Sequence, residues 1–237
     1  MNPHAFSAPC RLAATVALAA FLLPDPATAP TPPAVTPSGH PVAATTLVGW
    51  HSTTRSATLV TDGGRTVLNV AAAPGEGVVW QDRSALQDGT IEIDLRGRDV
   101  AGQSFLGVAF RGADDRTYEA VFFRPFNFAT TDPERRLHAV QYHSSPNNLW
   151  ARLRAEHPNQ YEKAIVPVPF PNDWLHIRLV IEGRALTVFV NGSTTPTLAV
   201  TTLGAPRGGA VGVWVGNGSG GEFANLRIRP ATPTRQP

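Results

Sequence analysis

One acid and one arginine stand where an extended chain ordinarily excludes charge. Residues 118–128 (YEAVFFRPFNF) are apolar on both faces of a strand, yet they carry Glu119 and Arg124. A charge inside such a strand needs a partner or a ligand. Five positions separate the two, so an unbroken strand sends them to opposite faces. Either Glu119 acts as a general acid or base, with Arg124 on ligand hydroxyls, or the charges sit in buried structural ion pairs. A second pair of acids is Glu92 and Asp94, on one face of the strand that buries Ile91, Ile93 and Leu95. Alternate strand residues stand about 6.6–6.8 Å apart. Two such acids could serve one site, since retaining hydrolysis of a glycosidic bond needs carboxyls about 5–5.5 Å apart. The next residue on that face is Arg96. The competing reading is therefore a solvated polar face.

Trp214 lies between Gly212 and Gly216, opposite Val211, Val213 and Val215, while Gly107 and Ala109 leave similar room on another strand. Small residues around an exposed indole make a shallow trough. A sugar ring packs its apolar face on such a ring, and its hydroxyls need polar partners. Arg111, Asn127, Gln141, His176 and Asn217 are candidate partners, and Trp150 and Tyr161 are candidates to cap one end. The competing reading packs Trp214 under a neighbouring loop. The histidines show no spacing of a catalytic zinc site, so no metal ligand is assigned. Residues 216–221 (GNGSGG) match a dinucleotide-binding pattern literally, but they precede a strand, and no helix N-terminus follows to hold a phosphate.

The elements that must position these residues are strands. Ile91, Ile93 and Leu95; Leu106, Val108 and Phe110; Leu175, Ile177, Leu179 and Ile181; Leu186, Val188 and Val190; and Val211, Val213 and Val215 each recur with period two. Turn signals separate them at Asp62-Gly63-Gly64, Asp88-Gly89, Glu182-Gly183, Asn191-Gly192 and Asn217-Gly218. No stretch shows helical periodicity, and residues 146–163 read as a long loop with a single helical turn at most. Short strands at regular spacing, without βαβ alternation, predict an all-β, antiparallel two-sheet sandwich with ten or more strands.

The 237 residues are 42% hydrophobic, with a net charge of +2. That composition supports a sizeable core. With no stripe of Lys and Arg, it argues against a nucleic-acid partner. The Ala, Arg and Pro bias points to a GC-rich bacterial source. Residues 1–29 read as a signal peptide, with Arg11 ahead of an apolar run at 12–23 that is too short to span a membrane. Residues 30–46 are a Pro-rich linker, 47–229 the folded domain and 230–237 a frayed tail. The single cysteine, Cys10, precedes the apolar run, so the mature chain lacks disulfides and thiolate sites. The expectation is export to the periplasm or beyond, without a stable membrane span, as a monomer.

Several segments carry a resemblance: 88–95 (DGTIEIDL), 105–111 (FLGVAFR), 174–180 (WLHIRLV), 186–192 (LTVFVNG) and 221–228 (GEFANLRI). In this order the chain resembles the concanavalin A-like lectin/glucanase superfamily, within it the laminin G-like and 3-keto-disaccharide hydrolase-type domains. The resemblance implies a jelly-roll sandwich with a ligand groove on its concave sheet. It also implies an oligo- or polysaccharide partner, without deciding between lectin and enzyme. Related glucanases place three acids in alternation on a strand, of which Glu92 and Asp94 supply two. The 3-keto-disaccharide hydrolase-type domains carry a Tyr-Glu pair near Tyr118-Glu119, but the glutamine that usually follows is lacking. Related sandwiches sometimes bind calcium, for which Asp114, Asp115 and Asp132 are the available loop acids; no other cofactor is expected. Three functions follow: a carbohydrate-binding domain, a glycan-active hydrolase or 3-keto-glycoside-processing enzyme using Glu119, and a protein-interaction sandwich.

Overall fold

The computed structural model describes residues 47–232. The predicted signal peptide, the linker and residues 233–237 lie outside the described residues. In chain order the elements are β1 (Trp50–His51), β2 (Ala57–Asp62), β3 (Arg65–Ala73), β4 (Gly77–Gln81), β5 (Gly89–Arg96), β6 (Leu106–Gly112), β7 (Tyr118–Phe123), α1 (Pro133–Leu137), β8 (Val140–Ser145), α2 (Trp150–Glu156), β9 (Glu162–Lys163), β10 (Leu175–Glu182), β11 (Ala185–Val190), β12 (Leu198–Thr201), β13 (Ala210–Val215) and β14 (Ser219–Pro230). They form two seven-stranded antiparallel sheets. The front sheet runs β1-β4-β13-β6-β7-β8-β9, and the back sheet runs β12-β11-β10-β5-β14-β3-β2. The predicted sandwich is thus present. Among the described residues no helix is long and apolar enough to cross a membrane.

The back sheet follows its sequence pattern directly. Ile91, Ile93 and Leu95 of β5 are buried and pair with Leu179, Ile177 and Leu175 of β10. Between them Glu92, Asp94 and Arg96 point outward into a mesh of ion pairs. Glu92 meets Arg229, Asp94 meets His176 and Arg65, and Arg96 meets Glu222 and Asp62. This is the solvated-face reading of Glu92 and Asp94. Trp174 lies on the same side, with the guanidinium groups of Arg65 and Arg96 each 4.7 Å from its ring centre.

The front sheet behaves differently, because β6, β7 and most of β8 are buried on both faces. Val79, Val108, Val121, Phe123 and Val213 point inward and join Ile93, Leu179, Val188 and Phe223 in the main core. The outward side chains form a second apolar layer: Val78, Trp80, Ala109, Tyr118, Ala120, Phe122 and Trp214. Glycines make this layer possible. A Cβ on Gly107 would come within 2.1 Å of the Val121 carbonyl oxygen and 2.5 Å of Phe122 Cα. One on Gly212 would come within 2.9 Å of the Trp80 ring. The small residues that read as room for a ligand are instead filled by the chain's own rings.

Two helices were not legible in the sequence. α1 is capped by Asp132, whose side chain accepts from the amides of Glu134 and Arg135. α2 replaces the predicted loop with seven residues, of which only Leu153 is buried, too few to register as a period.

Gly107→Ala should therefore lower stability by about 2 kcal/mol or more through overpacking against backbone. Urea denaturation checks this, and an unchanged midpoint would contradict the packing.

Candidate functional site

Outside the front sheet's second apolar layer lies a groove of about 460 Å³. Its floor is Phe122 and Trp214, whose ring centres are 4.7 Å apart. Its walls are Phe105 from the loop before β6, Trp150 from the start of α2, and Gly75, Glu76, Gly216 and Asn217 from the turns beside β4 and β13. Asn217 accepts from the Gly75 amide at 2.7 Å, which ties the two turns together. Glu76 Oε2 accepts from Trp214 Nε1 at 3.2 Å and from the Tyr118 hydroxyl at 3.3 Å. Burial, with the nearby Glu76 charge, raises the Tyr118 pKa and keeps the phenol protonated.

The predicted trough is corrected in one respect. Trp214 is only 3% exposed, packed under Phe122 and edge-on to His143. Trp150, at 39% exposure, is the indole that faces water. The sequence signal for Trp214, small neighbours on both sides, reported a close-packed ring layer.

At the β8–β9 end of the groove the sheet carries buried charge. Arg124 is 3% exposed and lies 4.7 Å from the ring centre of Phe122, 5.5 Å from Phe105 and 5.6 Å from Trp150. It donates to the His138 carbonyl at 2.8 Å and to Gln141 Oε1 at 2.6 Å. Burial, with the neighbouring Arg154 charge, pushes its pKa down to about 9, which leaves it cationic at neutral pH. Gln141 in turn donates to the Trp150 carbonyl at 3.2 Å, which fixes the start of α2 over the sheet. Arg154 holds the buried Glu162 with three hydrogen bonds, of 2.7, 3.0 and 3.2 Å. His138 Nδ1 lies 2.8 Å from the same carboxylate. His138 itself is held below its ordinary pKa, chiefly by burial.

Glu119 is not part of this groove. It faces inward, 3% exposed, and accepts from Arg111 Nη1 at 3.2 Å and from the Tyr142 hydroxyl. Arg111 reaches it because the β6–β13 register shifts opposite Val211, and Arg111 adopts φ 50° at that irregularity. Its side chain turns inward, to Thr202 and the carbonyls of Gln87 and Gly183. The Tyr142 hydroxyl also accepts from the Leu203 amide at 2.7 Å. The outcome is the buried-pair reading, with Arg111 as partner; Arg124 is on the opposite face, as the spacing predicts. A smaller recess of about 270 Å³ opens beside the pair, under Leu203 and Gly204.

The remaining candidates disperse. Tyr161 does not cap the groove; it packs in the core 5.7 Å from Tyr142. Asn127 is buried beside Arg124, donating to the His138 carbonyl and accepting from Arg135. His176 lies on the outer face of the back sheet with Asp94. Trp150, Trp214 and Asn217 line the groove together, and Arg124 and Gln141 lie against Trp150 at one end of it. Glu76, Phe105, Arg154 and Glu162 were missed. Glu76 sits in a Gly-flanked turn that reads as ordinary surface. The loop acids considered for calcium have other partners. Asp114 accepts from the amides of Arg116 and Thr117, Asp115 from Trp80 Nε1, and Asp132 caps α1. A larger opening of about 930 Å³ lies beside Trp50, Leu59 and Phe223, with Arg65, Gln81, Arg83 and Asn225 also in its lining.

Two seven-stranded antiparallel sheets with an aromatic groove on one outer face define a jelly-roll sandwich of the concanavalin A-like class. The chain belongs to the family of 3-keto-alpha-glucoside-1,2-lyase-like domains, whose sequence profile matches residues 43–229. Comparison with curated protein sequences gives no match. Among solved structures it is similar to the carbohydrate binding module CBM66 from Bacillus subtilis, at 15% identity and a TM-score of 0.53, covering 75% of this chain and 93% of that one. It is also similar to a Bacillus subtilis protein of unknown function with a galectin-like fold, at 13% identity and a TM-score of 0.51, covering 76% and 88%. A third is the VIP36 exoplasmic/lumenal domain in its Ca2+/Man-bound form, at 12% identity and a TM-score of 0.51, covering 76% and 82%. At these identities the likeness is one of fold.

Two outcomes are expected. Glu119→Gln leaves Arg111 only its longer contact with the part-exposed Asp88, at 3.4 Å, and should cost about 3 kcal/mol in urea denaturation, part of it recovered when Arg111→Met is added. His143 is fully buried among Tyr118, Phe122 and Trp214, and burial pushes its pKa down to about 3 from 6.5. The unfolded chain takes up this proton near pH 6.5 and the folded chain refuses it. The stabilising contribution is therefore complete above pH 6.5 and is lost as pH falls toward 3. His143→Phe should flatten the dependence of the urea midpoint on pH across that window; an identical slope in both proteins would contradict the assignment.

Proposed function

We propose that this domain binds a saccharide in the groove between Trp150, Phe105 and the Glu76–Asn217 turns. The observation that carries the reading is the composition of that groove. An exposed indole and a phenyl ring offer stacking surface, and a carboxylate and an amide sit within the same walls. Sugars present this combination in reverse, with apolar ring faces edged by hydroxyls. Two fold neighbours, a carbohydrate binding module and a domain in its Ca2+/Man-bound form, support the same class of ligand. The leader-like residues 1–29 support export, and the periplasm or the cell exterior is where the domain would meet such a glycan.

Family membership favours a second reading, in which the groove also catalyses elimination. A 1,2-lyase acting on a 3-keto-glucoside removes the proton at C2, acidified by the adjoining C3 ketone, and the C1–O bond breaks to release the aglycone. Glu119, locked to Arg111 and Tyr142, is poorly placed for that step. Glu76 is the carboxylate in the groove walls, so it is the candidate base.

A glycan array followed by calorimetry on the best ligand tests the first reading. Trp150→Ala should weaken binding about tenfold, the scale of one aromatic contact with its buried area. Trp174→Ala, on the back sheet, should leave it unchanged. Failure to bind any saccharide, or equal loss in both variants, would overturn the proposal. Growth of enone absorbance from a 3-keto-α-glucoside, abolished in Glu76→Gln, would establish the lyase.

A further inference from the structure

The charges at the β8–β9 end of the groove do not balance. Arg124 and Arg154 both direct a guanidinium nitrogen at one neutral oxygen, Gln141 Oε1, at 2.6 and 3.5 Å. One carboxylate, Glu162, stands nearby, and it is bound to Arg154. Arg124 has no carboxylate within salt-bridge distance among the described residues; its partners are a backbone carbonyl, the Gln141 amide and three aromatic rings. His138 is held toward its neutral form. Two cations against one anion leave one positive charge without a carboxylate, with Arg124 buried and Arg154 partly open to water. Burial of an unpaired charge is costly, and an anion brought by a ligand removes that cost.

The surplus also has an outlet to the groove. Arg154 is 32% exposed, and its guanidinium lies 5.1 Å from the ring centre of Trp150, the exposed indole of the groove wall. A sugar ring stacked on Trp150 therefore places its substituents beside Arg154. The opposite end, beyond Trp214 on β13, carries Glu76 and would repel an anion. Glu76 precedes β4 and Gln141 lies on β8, four strands further along the sheet order, so the two ends are distinct positions along a ligand.

We propose that the Trp150–Arg154 end of the groove is a subsite for an acidic sugar, a uronate whose carboxylate pairs with Arg154 and neutralises the surplus charge shared with Arg124. This rests on the saccharide-binding reading and adds the charge of the ligand and its orientation.

The test compares uronate oligosaccharides with the same oligosaccharides after reduction of each carboxylate to a primary alcohol, by calorimetry on the full chain. The acidic form should bind about tenfold more tightly at low salt, and the difference should shrink as ionic strength rises. Arg154→Gln should abolish the preference, and Arg154→Lys, which keeps the charge, should retain most of it. Thermal melts of both variants report whether the fold survives. Equal binding of acidic and reduced forms to the wild type, with Trp150→Ala weakening both, would overturn the acidic subsite and leave the saccharide groove intact. Binding of neither form would overturn both. Retention of the preference in Arg154→Gln would place the carboxylate elsewhere and overturn the assignment. Inorganic sulfate titrated alone separates the sources of the anion: tight binding of sulfate without an acidic-sugar preference would make the site one for free anions.

Discussion

The constraint on which the rest depends is that the centre of the front sheet is dry on both sides. A sheet in a sandwich normally gives one face to the core and one to water. Here the outer face carries its own layer of rings, seated on Gly107 and Gly212. Backbone and glycine leave just enough depth for Phe122 and Trp80 to lie down against the sheet. Those rings fix Trp214, Tyr118 and His143, and the groove lies on top of them. Its floor is thus set by cross-strand packing, the same interaction that stabilises the sheet.

The dry sheet then dictates how charge is handled. Glu119 and Arg124 are neighbours in sequence, but the strand sends them to opposite faces with opposite outcomes. The inward acid is fully met, by a cation and a phenol. The outward cation is met by rings, a carbonyl and an amide. One charge stitches the loop at Leu203 to the end of the sandwich, and the other underlies the groove wall.

The back sheet was legible residue by residue, because a half-wetted sheet writes a period of two into its strands. β5, β10 and β11 show it, and their register confirms it. The front sheet was legible as strands but not in depth. Where both faces are apolar the alternation disappears, so an indole on the groove side cannot be told from a buried one by pattern. This is why Trp214 read as a platform. Arg111 escaped for a different reason: a non-glycine residue at positive φ re-aims its side chain, and no local residue type announces that. Tyr161 read as a loop residue because its burial comes from a distant partner, Tyr142. Arg154 bonds both Glu162 and Gln141, which joins α2, β9 and β8, and no spacing in the chain foretells it.

A groove floored by mutually wedged rings has little freedom left to lose. The side chains beneath a bound molecule are already in their final rotamers, held by neighbours that no ligand touches. Association at such a surface gives up mainly the translational and internal freedom of the incoming molecule. A stiff ligand should consequently be favoured over a floppy one of the same composition, and the selectivity of the domain should lie as much in shape as in chemistry.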